Sequence, residues 1–358
     1  LIATGGTGGH VFPAYGLAKH FEEKKINVEL ICDLRGIKYL KKFNDIKITQ
    51  INTSSIFNKN IIQKLIASLI ITYSILKSLI FLIKNKPDLV FGMGGYSSFP
   101  VCIAAKFLNI PFIIYENNLY IGKANKFLLP FAIKLFVASK ELGGVVKRYE
   151  KKISKVGNII RKEILNFIKN LDYLKRDDKI NILILGGSQA ARVFAEKLPK
   201  ILEKCHKAGV PLKVYQQCLP EQSAYLSNLY NNINLECEIF NFSNDIINYF
   251  SKTNLAITRA GASMLAELVN VKIPFISVPL PSSADNHQLK NAIYYEKNRY
   301  SYLIEEKDLD NKLLGLIEEI NKDRSLLSLI VAKQSQYSDN SVYKIIDEEI
   351  NKLLNEKY

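Results

Sequence analysis

The chain has 358 residues, 48% hydrophobic and 23% charged, the balance of a soluble globular protein long enough for two domains. A formal net charge of +15 suits polyanions, anionic membrane surfaces or phosphate-bearing substrates, but the lysines are scattered among Ile and Asn and no nucleic-acid module is legible. Five widely spaced cysteines, Cys32, Cys102, Cys205, Cys218 and Cys237, include no CxxC; they argue against a disulfide framework or a zinc site and read as buried free thiols of a reducing cytoplasm.

The first residue is Leu1 and a strand follows almost at once, which reads as a chain whose extreme N-terminus is missing. Short β-branched runs at 1–3, 27–32, 46–51, 88–92, 111–115, 134–138 and 153–156 are expected strands. Amphipathic stretches such as 13–23 and 99–108 separate them as helices, each with its proline placed in the first turn. After Gly157 the alternation restarts, with strands expected at 180–185, 212–216, 235–240, 255–257, 274–278 and 301–304. Continuous apolar strands separated by helices mean parallel sheets covered on both faces, so the fold class is α/β.

Three glycine-rich turns sit where a strand should hand over to a helix: Thr4-Gly5-Gly6-Thr7-Gly8-Gly9-His10, Gly92-Met93-Gly94-Gly95-Tyr96 and Gly186-Gly187-Ser188-Gln189. Glycine there permits positive φ and close approach of a ligand, and the following helix start favours phosphate. Their division between the halves suggests two nucleotide-fold domains facing each other across a cleft. The halves also repeat each other. Asp88-Leu89-Val90 leads through a glycine turn to Ile110-Pro111-Phe112-Ile113, as Asn254-Leu255-Ala256 leads through Arg259-Ala260-Gly261 to Ile273-Pro274-Phe275-Ile276. The expected junction is 156–161, giving domains at 1–158 and 159–340, with a final helix in 341–358.

The stretch 65–83 approaches the length of a membrane span, with Lys77 its only charge and Lys59, Lys64, Lys84 and Lys86 as flanks. Its serines and Lys77 count against a true span. Two readings remain beside it: a helix half-buried in the first domain and half-resting on an anionic membrane, or a wholly buried core helix.

The glycine turns, together with Lys86-Pro87-Asp88, Glu116, Asn118, Asn125-Lys126, Val156-Gly157-Asn158, Arg161, Arg259, Gly261-Ala262, Glu267, Gln288 and Asn291-Ala292, closely resemble the MurG family of bacterial N-acetylglucosaminyltransferases, in glycosyltransferase family 28. The resemblance runs in order over nearly the whole chain. It implies the GT-B fold, two Rossmann-like doubly wound parallel-sheet domains, with the last helix crossing back to the first. It also implies inverting transfer of N-acetylglucosamine from UDP-GlcNAc to the C4 hydroxyl of the muramoyl sugar in lipid I, giving lipid II. The implied place is the cytoplasmic face of the bacterial membrane, with UDP-GlcNAc, lipid I, the anionic membrane surface and other cell-wall or division proteins as partners. No cofactor is implied, and no Asp-x-Asp motif follows a strand end; Asp177-Asp178 falls in an expected loop. The chain departs from the family at Tyr115-Glu116-Asn117-Asn118, where His-Glu-Gln-Asn is usual, and at Ala190, where Gly is usual.

The resemblance also distributes roles. His10 is the candidate general base, since imidazole takes up a proton near neutral pH; a substrate-bonding donor and a helix-capping histidine are the alternatives. Thr7, Gly8, Gly9 and Asn118 would touch the donor, with Arg161 a cation for it at the junction. Gly94, Gly95 and Tyr96 would form the acceptor's diphosphate site. Ser188 would bond the UDP phosphates, Phe242 and Ser243 would meet uracil, and the backbone through Ala262, Ser263, Met264, Leu265 and Ala266 would line the uridine pocket. Glu267 would accept from ribose hydroxyls, and Gln288 would read the sugar.

Three rival readings are a GT-B enzyme with a different acceptor or an epimerase, a dinucleotide oxidoreductase, and a silent UDP-sugar sensor. Asp33 does end the second strand where an acid grips an NAD ribose. The fingerprint nevertheless fails, because Gly6-Thr7-Gly8-Gly9-His10-Val11 lacks the last glycine of G-x-G-x-x-G.

Overall fold

The computed structural model describes residues 1–355 apart from 42, 44, 52, 54–59, 168–178, 188–191, 242 and 244. It divides into two compact units, Leu1–Lys162 with Asp339–Tyr358, and Glu163–Ser338.

In the first unit the order is β1 (Ile2–Thr4), α1 (Gly8–Glu23), β2 (Leu30–Cys32), α2 (Leu34–Leu40), β3 (Ile48–Gln50), α3 (Ile61–Asn85), β4 (Val90–Gly92), α4 (Gly95–Phe107), β5 (Phe112–Glu116), α5 (Lys123–Leu128), β6 (Lys134–Val137) and β7 (Ile153–Lys155). α6 (Lys162–Leu165) begins at its last residue. The strands form one sheet in the order β3-β2-β1-β4-β5-β6-β7, every pair parallel. Helices cover both faces, so inner strands are largely apolar; β1, β2, β4 and β5 are buried at every position, Thr4 and Glu116 included. The order reverses between β1 and β4, and the first two glycine turns follow these two strands. That is the switch point of a doubly wound sheet, where ligands bind.

The second unit continues with β8 (Ile180–Leu185), α7 (Arg192–Lys207), β9 (Leu212–Gln217), α8 (Ser223–Asn232), β10 (Glu236–Phe240), α9 (Ile246–Lys252), β11 (Leu255–Thr258), α10 (Ala262–Asn270), β12 (Phe275–Ser277), α11 (His287–Lys297), β13 (Tyr302–Leu303), α12 (Leu309–Lys322) and α13 (Ser325–Gln334). Its sheet runs β10-β9-β8-β11-β12-β13, again all parallel. The reversal falls between β8 and β11, so Gly186-Gly187 and the Arg259–Gly261 stretch occupy the matching switch point. Strand–turn–helix β11–α10 thus repeats β4–α4.

The last helix, α14 (Val342–Asn355), belongs to the first unit. Val342 and Ile346 are fully buried, the Tyr343 hydroxyl donates to Ile160 O at 2.7 Å, and Asp347 pairs with His20 Nε2 at 2.9 Å.

One sequence expectation needs correction. The helices expected at 13–23 and 99–108 begin within the glycine turns, at Gly8 and Gly95, so Pro13 and Pro100 are sixth residues rather than first-turn residues. A proline there removes one intrahelical bond. Glycine's poor helix propensity hid the true starts.

Of the readings left open for α3, the wholly buried core helix is excluded. Ala67, Ser74, Ser78 and Leu82 form its buried face, whereas Ile62, Leu65, Leu69, Tyr73, Leu76, Ile80 and Ile83 are each more than half exposed. The buried serines satisfy themselves by donating one turn back, Ser74 to Ile70 O and Ser78 to Ser74 O, both at 2.7 Å. A capping box, Asn60 with Gln63, fixes the helix start.

Asp33 organises the switch point of the first unit. One carboxylate oxygen accepts from Gly6 N and Gly36 N, both at 2.8 Å, and the other accepts from Ser97 Oγ at 2.9 Å. Burial alone would raise its pKa; the Gly6 and Gly36 N–H groups, the Ser97 hydroxyl and the Arg35 charge outweigh it and hold the carboxyl below the usual range. Asp33→Asn is expected to destabilise the protein by about 2 kcal/mol at pH 7, because the charged acceptor is lost from a buried network. The contribution is fully present above the unfolded pKa of about 3.9 and disappears as pH falls through the lower folded value. Urea melts of both proteins from pH 7 to pH 3 check this: the difference should shrink towards pH 3, and a constant difference would remove the ionised form from the explanation.

Candidate active site

In the first unit the imidazole of His10 lies against the second glycine turn. A Cβ on Gly95 would stand 3.4 Å from His10 Cδ2 and Nε2. One on Gly94 would stand 3.4 Å from His10 Cε1, 3.2 Å from Tyr115 O and 3.3 Å from Asn125 Nδ2. Both glycines have positive φ, +82° and +71°. The turn is therefore glycine twice over, for its backbone and for the ring beside it. His10, Gly95 and Tyr96 are half-buried and Gly94 is buried. Neither α1 nor α4 has a side-chain N-cap, and Thr7, the exposed N-cap of α1, makes no cap bond. Gly8 and Gly9 fill the first turn of α1; His10 N and Val11 N both donate to Thr7 O.

The loop after β5 closes over this turn through Glu116. Its Oε1 accepts from Asn118 N at 3.1 Å and Asn118 Nδ2 at 2.8 Å, and its Oε2 from Gly122 N at 2.9 Å and Asn125 Nδ2 at 3.0 Å. Asn118 Nδ2 also reaches Asn117 Oδ1, and Asn117 Nδ2 donates to Gly9 O at 3.2 Å. The structure thus gathers Thr7, Gly8, Gly9, His10, Gly94, Gly95, Tyr96 and Asn118 at one end of one sheet. Tyr115, a departure from the family pattern, points elsewhere: its fully buried hydroxyl donates to Gly157 O and accepts from Ile159 N. Arg161 is buried, its guanidinium 4.9 Å from the Phe12 ring centroid.

In the second unit, α10 starts directly after Gly261, and its own ladder begins when Leu265 N donates to Gly261 O at 3.1 Å. Backbone donors for a ligand are accordingly those of the first turn, Ala262 to Met264, whereas Leu265 and Ala266 contribute only packing, both fully buried. Glu267 is the sixth residue of the helix and buried. Gln288 and Asn291 share one face of α11. Gln288 Oε1 holds the preceding loop by accepting from Leu280 N at 3.0 Å, and Asn291 Nδ2 donates to Ala260 O at 3.2 Å, bringing Gln288 beside the Gly261 turn. Asp285 and Asn286, before α11, both adopt left-handed backbone.

Arg259 is structural rather than ligand-facing. Its buried guanidinium donates to Val278 O and Pro279 O, pairs with Glu306 at 2.5 Å and covers the Phe194 ring at 4.8 Å. Ser243 follows β10, an edge strand separated from β11 by β9 and β8, and its Oγ accepts from Asp245 N. Ser188, Phe242, Ala190 and Asp177-Asp178 lie outside the described residues. Among the described residues no group of three His, Cys, Asp or Glu side chains is placed to hold a metal ion.

Sequence reasoning missed three of these anchors: Asp33 as a clamp, Asn117 on Gly9 and Asn291 on Ala260. Only Asp33 left a signal, an Asp directly before a helix with Gly36 N at the capping distance.

Two parallel sheets, each with its turns at its own switch point, define a GT-B protein. The glycosyltransferase family 28 N-terminal domain matches residues 1–137 and the family's C-terminal domain matches residues 181–348. The chain belongs to glycosyltransferase family 28. A relative from Pelagibacter ubique, named UDP-N-acetylglucosamine--N-acetylmuramyl-(pentapeptide) pyrophosphoryl-undecaprenol N-acetylglucosamine transferase, is 37% identical over 345 residues, covering 95% of this chain and 94% of its own. One of the same name from Francisella tularensis is 34% identical over 100% of this chain and 98% of its own. Among solved structures, Acinetobacter baumannii MurG aligns with TM-score 0.77 and 28% identity over 98% of each chain. The S. aureus MnaA–UDP structure, at TM-score 0.70 and 17% identity, shares the fold.

Gly95→Ala tests how tightly the turn and the ring are matched. The added methyl meets the His10 ring at 3.4 Å and strains a left-handed backbone, with a stability cost of roughly 1 kcal/mol. Activity should fall much further than stability, because the displaced group is His10. Loss of stability with full activity would show that the ring has room to shift.

Proposed function

We propose that this chain transfers N-acetylglucosamine from UDP-N-acetylglucosamine to the C4 hydroxyl of the muramoyl sugar of lipid I, inverting the anomeric centre and producing lipid II for peptidoglycan, and through it for cell shape and division. The observation that carries the reading is full-length relationship, at 37% identity, to a transferase named for that reaction. The first-unit geometry supports the roles. Direct displacement with inversion needs a base at the acceptor hydroxyl and charge stabilisation at the departing diphosphate. His10 takes the proton from the C4 hydroxyl as that oxygen attacks the anomeric carbon and the bond to UDP breaks. The acceptor's diphosphate sits at the start of α4, on Gly94, Gly95 and Tyr96. UDP is held by the second unit: Gly187 and Ser188 for the phosphates, the first turn of α10 and Glu267 for the nucleoside, Phe242 and Ser243 for uracil, and Gln288 for the sugar. Thr7, Gly8, Gly9, Asn118 and Arg161 complete the donor contacts.

The enzyme works at the cytoplasmic face of the membrane as a peripheral protein, and the exposed face of α3 supports this placement. Its leucines and isoleucines form one stripe, with exposed Lys64, Lys77 and Lys84 to meet anionic headgroups. Leu69→Glu with Leu76→Glu should weaken binding to phosphatidylglycerol vesicles by about tenfold or more, since burying one leucine is worth about 1.5–3 kcal/mol. Unchanged co-sedimentation would remove this face from the membrane.

Transfer of labelled N-acetylglucosamine from UDP-N-acetylglucosamine to a short-chain lipid I analogue tests the activity. The parent should transfer, and His10→Ala should lose roughly a hundredfold or more in kcat at similar donor KM. A folded parent that binds UDP yet transfers nothing to this acceptor would overturn the proposal.

A further inference from the structure

Pro13 and Asn117 form a matched pair around His10. In an ordinary helix Gly9 O would accept from the N–H of residue 13, four positions on. Residue 13 is proline, the sixth residue of α1, and supplies no N–H. Asn117 arrives from the loop after β5 and donates its Nδ2 to that carbonyl at 3.2 Å. Its side chain is held in turn, because Asn117 Oδ1 accepts from Asn118 Nδ2 and Asn118 is fixed on Glu116. Asn117 is itself buried. Gly9 directly precedes His10, so the peptide whose oxygen Asn117 grips is the one that carries His10 N.

We propose that Asn117 is a positioning residue: by replacing the bond that Pro13 removes, it fixes the His10 peptide and thereby the His10 ring against Gly94 and Gly95. The linkage makes the orientation of the base depend on the loop that follows β5. A continuous helix would hold the same carbonyl from within and leave it indifferent to that loop. The inference rests on the transfer reading only for its catalytic consequence; the coupling of Asn117 to His10 stands apart from it.

Two readouts on the full chain separate these. The first is the imidazole Cε1–H resonance of His10, which is assignable because the sequence has only four histidines, His10, His20, His206 and His287. Asn117→Ala should shift the His10 signal while the other three stay in place, which also reports an intact fold. The second is transfer to the lipid I analogue, where Asn117→Ala should lower kcat by roughly tenfold to a hundredfold with both KM values unchanged. The deciding variant is Pro13→Ala combined with Asn117→Ala. Alanine restores an N–H four residues beyond Gly9, so both the His10 resonance and kcat should move back towards the parent. An Asn117 that contacts substrate, or merely packs, would not be rescued by a change at residue 13, and failure of the double variant overturns the proposal. So does an unmoved His10 signal in Asn117→Ala. A parent with no transfer whose His10 signal still shifts and recovers would sink the transfer reading and leave the positioning role standing.

Discussion

The carboxylate of Asp33 leaves the end of β2 and meets three donors from three different segments: Gly6 in the turn after β1, Gly36 in α2 and Ser97 in the first turn of α4. Strand order makes this possible, since β2, β1 and β4 are consecutive neighbours. A buried charge without partners would be costly, and the donors convert that cost into a constraint on where both glycine turns lie. Gly5 is glycine for the same reason, as a Cβ there would come within 2.6 Å of Asp33 Oδ1 and Ser97 Oγ. An acid at the end of the second strand is also what a dinucleotide enzyme uses to grip a ribose. Here that carboxylate is committed to its own scaffold, which agrees with the failure of the dinucleotide fingerprint.

The second unit solves a similar problem with a cation. Arg259 is the residue after β11, and its guanidinium gathers the carbonyls that follow β12, the Glu306 carboxylate and the face of Phe194. A planar group with several donors suits a site where partners come from several directions. Asn291 then ties α11 to the same stretch through Ala260 O. In each unit a buried charged side chain at a strand end ties a glycine turn to neighbouring strand ends, while the helix starts are left without side-chain caps. Helix starts of this kind favour an anion, through first-turn N–H groups and the positive end of the helix dipole.

The thirteen strands among the described residues were legible in the sequence, because strands covered on both faces read as largely apolar runs. The ends were less legible: β2, β3 and β13 are shorter than the runs at 27–32, 46–51 and 301–304 imply, at inner and edge positions alike. Helix starts failed for a local reason, as glycine reads as a turn even where tertiary contacts carry it into a helix. The site was legible as motifs and illegible as geometry. His10 and the pair Gly94-Gly95 stand out in the chain, but nothing in their spacing shows that one packs on the other. Asn117 reaches Gly9 across 108 residues and Tyr115 reaches Gly157 across 42, and no periodicity encodes either.

α3 shows what periodicity alone leaves open. Its apolar residues recur at helical spacing, the usual mark of a face turned to the core. The structure buries the other face, where Ala67, Ser74 and Ser78 are small enough for close packing against α4. Serine is tolerable there because each hydroxyl is satisfied within its own helix. Small residues thus face inward and large apolar residues outward. Each exposed Leu or Ile forgoes about 1.5–3 kcal/mol that burial would bring. Six such side chains and Tyr73 along one stripe, with lysines at its margins, leave a surface that a bilayer boundary would stabilise by burying it. That surface lies on the same unit as His10 and the Gly94-Gly95 turn, where a lipid-linked acceptor would have to be met.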